Sequence, residues 1–421
     1  MVPSSSGAAR GMLKLQRAAV RVWAWLDQRW VVALVTSVFA LTFSVVRLEG
    51  LGGDPASFVV AGDEFVRPDA APAGLPVTHG PGYDGQFFYR LSLRPWTQTR
   101  TEFGITFDEP AYRQQRIVYP LLTFVVARGA PAATAWALLG WNLAAAAALG
   151  WLGAALARRR RGHALWGLAF AAYPGFVLML ARDLADLVAA VLLLAGLLAL
   201  DRQRPVVAAA ALTLAGLTRE STLVVPLALA ALWSVDAVRR RSTVAVTGGR
   251  PALSARAASD RSRVQVVTFA VPLGVALAWQ LVLWRTWGVA PVVQGSQRLG
   301  LPFAGIWDFA QGAVQFGAFS LVVRLAELVF VVAAALLTAW SLPRSRALAH
   351  EKLAWALGLG VAVLLSRSVW VEDWAFLRAL AEPYLLGTLV LLGRPDRRGL
   401  PIFFAGALLC VAVAALHVQS L

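Results

Sequence analysis

The residues best suited to chemistry lie in one long polar stretch. Residues 79–91 read HGPGYDGQFFYRL. Gly80, Gly82 and Gly85 bracket Asp84 in a tight turn, and Phe87, Phe88 and Leu91 then begin an apolar helical face. That spacing puts a carboxylate at a loop-to-helix junction, where it can take a proton from an attacking hydroxyl. The plainer reading is that Asp84 caps the helix that follows. A second acidic position is Asp63-Glu64. Adjacent carboxylates can hold a divalent cation through oxygen ligands; more commonly such a pair is simply solvated. A divalent cation is the one cofactor the sequence points to, and no His/Cys cluster has metal-ligand spacing.

Three further groups of charge sit at the expected outer ends of apolar runs. YPGFVLMLARDLADL places Arg182, Asp183 and Asp186 in a short turn. Thr218-Arg219-Glu220-Ser221-Thr222 forms the tip of an expected hairpin. SRSVWVEDWAFLRALAEPY carries Arg367, Glu372, Asp373, Arg378 and Glu382. Gln294-Gly295-Ser296-Gln297-Arg298 follows a later run. The guanidinium is planar and permanently charged, which suits a phosphate. Several arginines and acids at one depth read as a polar cavity, joined by His79, Tyr83 and Glu64 from the long stretch. Taken pair by pair, the same residues read as structural ion pairs.

These residues need elements to hold them, and the composition says which. The chain has 421 residues, 58% hydrophobic and 15% charged, with a mean hydropathy of +0.64. A soluble domain carries about a quarter charged residues. The apolar excess comes in runs long enough for helices across a ~30 Å hydrocarbon core. Helices are expected because lipid leaves no partner for open backbone groups. The expected fold is an all-α, polytopic helical bundle. The runs predict eleven spans, roughly 30–47, 133–157, 164–182, 184–201, 205–218, 220–236, 264–286, 317–342, 353–371, 380–393 and 400–417.

The net charge of +16 has a topological cause rather than a nucleic-acid partner. Arg10, Lys14, Arg17 and Arg21, the Arg158–Arg161 run, Arg202 and Arg204, Arg239–Arg241, Arg344 with Arg346, and Arg394 with Arg397 and Arg398 all fall between runs on one side. By the positive-inside rule that side is cytoplasmic. The N-terminus is then inside, the C-terminus outside, and the long stretch outside the cytoplasmic membrane. Of the 23 acids, only Asp27, Asp201, Asp236, Asp260, Glu351 and Asp396 fall inside. Topology does not require that surplus of outer acids.

The chain therefore divides into a cytoplasmic amphipathic segment, 1–29, a first span, 30–47, and an outer loop with surface helices, 48–132. Spans fill 133–236, a polar cytoplasmic loop 237–263, and further spans 264–421. Residues 205–236 fit either a short-armed hairpin or one long tilted helix. The single Cys410 permits no intrachain disulfide.

The chain resembles the polytopic glycosyltransferases of the GT-C fold, which use a polyprenyl-phosphate sugar as donor. The likeness rests on YDGQFFYRLSLRP at 83–95 followed by DEPAYRQQRIVYPLL at 108–122, on ARDLAD at 181–186, and on GLTRESTLVVPLAL at 216–229. The loop looks like bacterial membrane proteins linked to cell-surface glycopolymer formation, and more distantly like the WDxxxY region of GPI-type mannosyltransferases. Where other branches have an early pair of acids, this chain has GDEF at 62–65, so Asp84 and Asp63 compete for one role. The resemblance implies transfer of a sugar to a cell-envelope glycan, lipid or protein, with Asp84 or Asp63 as base. Arg219, Arg182 and Arg378 would hold the donor phosphate. The rival classes are a lipid-linked sugar flippase or other transporter, and a non-catalytic assembly or ligase-like partner.

Overall fold

The structure is a computed structural model that describes residues 6–247, 253–312, 318–371, 375–396, 399 and 401–418. It is helical almost throughout. α1 (Ser6–Leu26) is followed after a short break by α2 (Arg29–Gly50). α1 is tied down at its end, where the His163 ring donates from Nε2 to the Trp23 carbonyl at 3.0 Å, and the two rings lie 4.1 Å apart.

The segment after α2 is compact. A short parallel pair joins β1 (Ala61–Gly62) to β2 (Val77–Thr78). α3 (Gly85–Leu93) follows, then the hairpin of β3 (Thr101–Glu102) and β4 (Ile105–Thr106). Its two-residue turn has positive φ at Phe103 and Gly104, as a type I′ turn requires. α3 was expected on a surface. Instead all nine of its residues are buried. It tolerates this because most of its side-chain polar groups are satisfied within the protein. Arg90 donates to the carbonyls of Arg100, at 2.6 Å, and Thr99, at 2.5 Å, and Gln86 donates to the Pro81 carbonyl.

α4 (Pro110–Gln114) and the apolar α5 (Val118–Ala127) lead into α6 (Pro131–Arg159), a 29-residue helix against α2. The contact is close because α6 presents glycine there. A Cβ at Gly150 would lie 2.9 Å from the Val32 carbonyl oxygen, the small-residue packing that membrane helices use.

The expected span 164–182 is broken. α7 (Leu168–Ala171) and α8 (Pro174–Ala181) are separated at Tyr173, which is extended. The residue before proline avoids helical geometry, and the helical segments on either side of the break are bent by 59°. α9 (Asp186–Asp201) and α10 (Pro205–Thr218) pack together. The chain then breaks at Arg219, which is extended, before α11 (Val224–Thr247). One continuous helix over 205–236 is thereby excluded.

Helix extends into both ends of the polar segment expected at 237–263. α11 runs to Thr247 and α12 (Leu253–Trp287) begins at Leu253. Alanine and arginine, both strong helix formers, recur through that segment.

Short helices α13 (Pro291–Gly295) and α14 (Ala304–Gly312) precede α15 (Ala318–Ser341) and α16 (Ala349–Val363). α16 stops short of the expected end at 371. Leu365 bridges to Leu299, and α17 (Arg367–Val371) and α18 (Ala375–Ala379) follow as separate pieces. α19 (Ala381–Leu392) and α20 (Pro401–His417) close the bundle.

Among the described residues, five helices are long and apolar enough to cross a membrane, or six if the bent pair is one span. Four shorter apolar helices, α5, α10, α19 and α20, accompany them. The protein is an all-helical membrane protein. Five of the eleven expected runs form helices shorter than a full span, α9, α10, α16, α19 and α20.

Candidate functional site

Asp84 sits where the first loop meets the bundle. Its position depends on Gly85, because a Cβ there would lie 2.5 Å from both the Val59 and Arg182 carbonyl oxygens. Only glycine lets the loop and the 182–186 turn approach so closely. Asp84 precedes α3 but makes no side-chain cap, so the capping reading fails. Its carboxylate turns to arginines instead. Arg113 donates to Oδ1 at 2.6 Å and Arg378 to Oδ2 at 2.7 Å. Arg116 lies 3.7 Å from Oδ2.

Each of these arginines reaches another acid. Arg113 grips Asp108 through two bonds, at 2.8 and 2.6 Å, in the planar fork geometry of a bidentate pair. Arg116 grips Glu220 likewise, at 2.9 and 2.6 Å, and also donates to the Tyr112 hydroxyl. Arg378 pairs with Asp186 at 3.2 Å. Asp186 also accepts from Arg219, which bonds Glu382 at 2.8 Å and the Arg378 carbonyl at 2.9 Å. Ser221 donates to Glu382 at 2.9 Å. Asp186 occupies the first turn of α9, where the helix N-terminus favours negative charge.

One continuous network therefore joins the first loop, α4, the start of α9, the 219–220 break and α18–α19. Tyr83 lies beside it, with the Arg182 guanidinium 4.2 Å and the Arg378 guanidinium 5.5 Å from its ring. Arg298 joins at the margin. It pairs with Glu109 at 2.6 Å and lies 4.0 Å over Tyr112.

Charge and burial oppose each other at Asp84. Burial favours the neutral acid, but Arg113, Arg378 and Arg116 outweigh it and hold the carboxyl far below the usual carboxylate range. Arg113 shows the converse: burial disfavours its charge, and Asp84 and Asp108 more than compensate.

No protein-family model, curated protein or solved structure matches the chain. The site stands on its own geometry.

The structure brings together Asp84, Tyr83, Arg182, Arg219, Glu220, Arg378 and, at the edge, Arg298. It does not bring in Asp63, Glu64 or His79. Asp63 is tied to His79 at 2.9 Å and to the Gly80 amide at 2.8 Å. That pair is exposed, the His79 side chain almost wholly so. The ties lower the Asp63 carboxyl, chiefly through the Gly80 amide and then through His79, and raise the His79 imidazole. Asp63 is thus a staple across the β1–β2 loop. Among the described residues no group of three or more His, Cys, Asp or Glu is arranged to hold a metal ion, so Asp63-Glu64 gains no further ligand. Asp183 lies in the 182–186 turn but outside the network. Asp373 falls outside the described residues.

The reading of the sequence missed Arg113 and Arg116 as site residues. A signal was present: they stand three apart, Arg113 in α4 and Arg116 just beyond its end, shortly after Asp108-Glu109.

An apolar cavity of about 270 Å³ lies between α2, α6, α8 and α20. Leu180 and Leu187 line it, and these residues flank the 182–186 turn on either side.

Proposed function

We propose that the protein is a glycosyltransferase that moves a sugar from a polyprenyl-phosphate donor to a cell-envelope acceptor at the outer face of the cytoplasmic membrane. The observation that carries this reading is Asp84, one carboxylate shared among three guanidiniums at the mouth of a helical bundle. We assign the isoprenoid chain to the apolar cavity beside α8, which is lined by Leu180 and Leu187 of the segments flanking the 182–186 turn. The positive-inside pattern gives the outer orientation.

In this scheme the acceptor hydroxyl attacks the anomeric carbon as the carbon–oxygen bond to the phosphate breaks, with inversion. The hydroxyl proton passes to Asp84. The polyprenyl phosphate departs with the bonding electrons, and Arg378, Arg219 and Arg182 stabilise the charge that grows on it. At rest, three arginines make Asp84 a weak base, since a base works best with a pKa near the working pH. An arriving phosphate competes for those guanidiniums. Asp84 then loses part of its clamp and becomes the stronger base at the moment a substrate is present. The reaction requires no nucleotide sugar.

The test is transfer from radiolabelled polyprenyl-phosphate sugars by the protein in lipid, supplied with a cell-envelope acceptor extract. Asp84→Asn, in a protein that still inserts, should abolish transfer, and retained turnover would remove Asp84 as base. A second reading, a lipid-linked sugar flippase or other transporter, draws on the 59° break between α7 and α8 and the break at Arg219. Broken helices with charged ends are the binding elements of transporters. Movement of labelled donor between vesicle leaflets, without transfer, would favour it.

A further inference from the structure

The arginine network leaves one acid of the 182–186 turn unexplained. Asp183 has 0% exposure and a left-handed backbone, with φ of 47°. Neither of its carboxyl oxygens has a hydrogen-bond partner. Three groups from other elements face it: Arg47 of α2, Tyr119 of α5 and Asn142 of α6. Arg47 directs a guanidinium N–H at the His417 carbonyl and packs against the Phe58 ring at 5.3 Å. Asn142 is itself fully buried. Its Nδ2 donates to the Tyr119 hydroxyl at 2.9 Å, and that hydroxyl donates to the Leu138 carbonyl at 3.0 Å. Asn142 Oδ1 has no partner.

Asp183 and Asn142 are neighbours, and each has buried oxygen that lacks a hydrogen. A carboxylate in that position would be desolvated with no donor, which is among the costliest arrangements in a protein. A single proton removes the deficit on both sides. We propose that Asp183 is a neutral carboxylic acid that donates its proton to Asn142 Oδ1. The chain then runs from Asp183 through Asn142 and Tyr119 to the Leu138 carbonyl. It ties the turn that carries Arg182 and Asp186 to α5 and α6, so Asp183 is a positioning residue for the network. Loss of the proton would leave a carboxylate beside Arg47 and cut the tie, making the turn responsive to alkaline pH. Acids at membrane depth are commonly proton carriers.

The competing arrangement has an ionised Asp183 with the Asn142 amide turned over. Nδ2 would then donate to the carboxylate, and Tyr119 would give up the Leu138 carbonyl to donate to Oδ1. Infrared difference spectroscopy of the full chain in lipid at neutral pH separates the two. Wild type minus Asp183→Asn should show the carbonyl stretch of a protonated carboxylic acid. Asparagine is the suitable replacement because it tolerates the left-handed backbone. Asn142→Ala should shift the same band by removing its acceptor. Absence of a protonated-acid band in the first comparison would establish the ionised arrangement and overturn the proposal. If Asp183→Asn fails to insert, Asn142→Ala carries the test alone. A shifted carboxylic-acid band then supports the proposal, and an unmoved one contradicts it.

Discussion

The two ends of α9 hold acids of the same type in different company. Asp201, at its last residue, pairs with one arginine, Arg159, at 2.7 Å. Asp186, roughly 22 Å away at its first residue, accepts from both Arg219 and Arg378. The difference extends beyond α9. Arg160, likewise, pairs with one acid, Glu351. Around Asp84 no pair is separate, because each arginine serves two acids or an acid and a shared carbonyl. Isolated pairs cancel charge and can do little else. In a shared network, a guanidinium released from one acid still has another, so an entering anion can take a place without stripping any group bare. That property separates a site from a set of ion pairs, and the following experiments put it under strain.

The largest contrast is expected in activity. Asp84→Asn should reduce transfer by about 10²–10⁴-fold, the range of a lost general base, whereas Asp201→Asn should leave it intact. Stability comes next. Removing one partner of a buried pair costs about 3–5 kcal/mol, so Arg378→Gln should lower Tm markedly. Arg159, about half exposed, lies in the class of surface pairs worth about 0–1 kcal/mol, and Arg159→Gln should barely move it. Equal losses in the two variants would dissolve the distinction.

Acid stability gives a finer contrast. The Asp84 carboxyl is depressed in the folded protein, so its contribution is present above the unfolded value of about 3.9. It is lost as pH falls through the lower folded value. Tm should therefore decline below about pH 4, and part of that decline should vanish in Asp84→Asn. The smallest effect belongs to the exposed pair. His79 is raised, first by its bond to Asp63 and then by that carboxylate's charge. Its small stabilisation is present below about pH 6.5 and lost as pH rises through the folded value. Asp63→Asn should return the His79 titration, followed by NMR, towards its ordinary value, with transfer unchanged.

Hydropathy alone made the helical membrane architecture legible, because each apolar run is a local property. It did not show that the run at 164–182 breaks before Pro174 or that the run at 353–371 stops near Leu365, whereas the break at Arg219 is the hairpin it allowed. It also placed α3 at a surface, since the loop's polar residues looked solvated. Their partners, such as the Arg100 carbonyl for Arg90, are invisible in a pattern of apolar spacing. The site was partly legible. Asp84, Arg219 and Arg378 were singled out from residue type and place, but Asp84 and Arg378 are 294 residues apart, and no local pattern joins them. Asp63 looked equivalent to Asp84 because a carboxylate's company, not its neighbours in sequence, decides its role.

The measurement that bears most directly on a site centred on Asp84 is sugar transfer in lipid. Wild type, Asp84→Asn and Asp201→Asn would be supplied with a panel of radiolabelled polyprenyl-phosphate sugars and an envelope acceptor extract. The account predicts transfer from at least one donor by wild type and Asp201→Asn, and none by Asp84→Asn in a protein that still inserts. Equal transfer by all three proteins would contradict it, and would leave the network around Asp84 as structure alone.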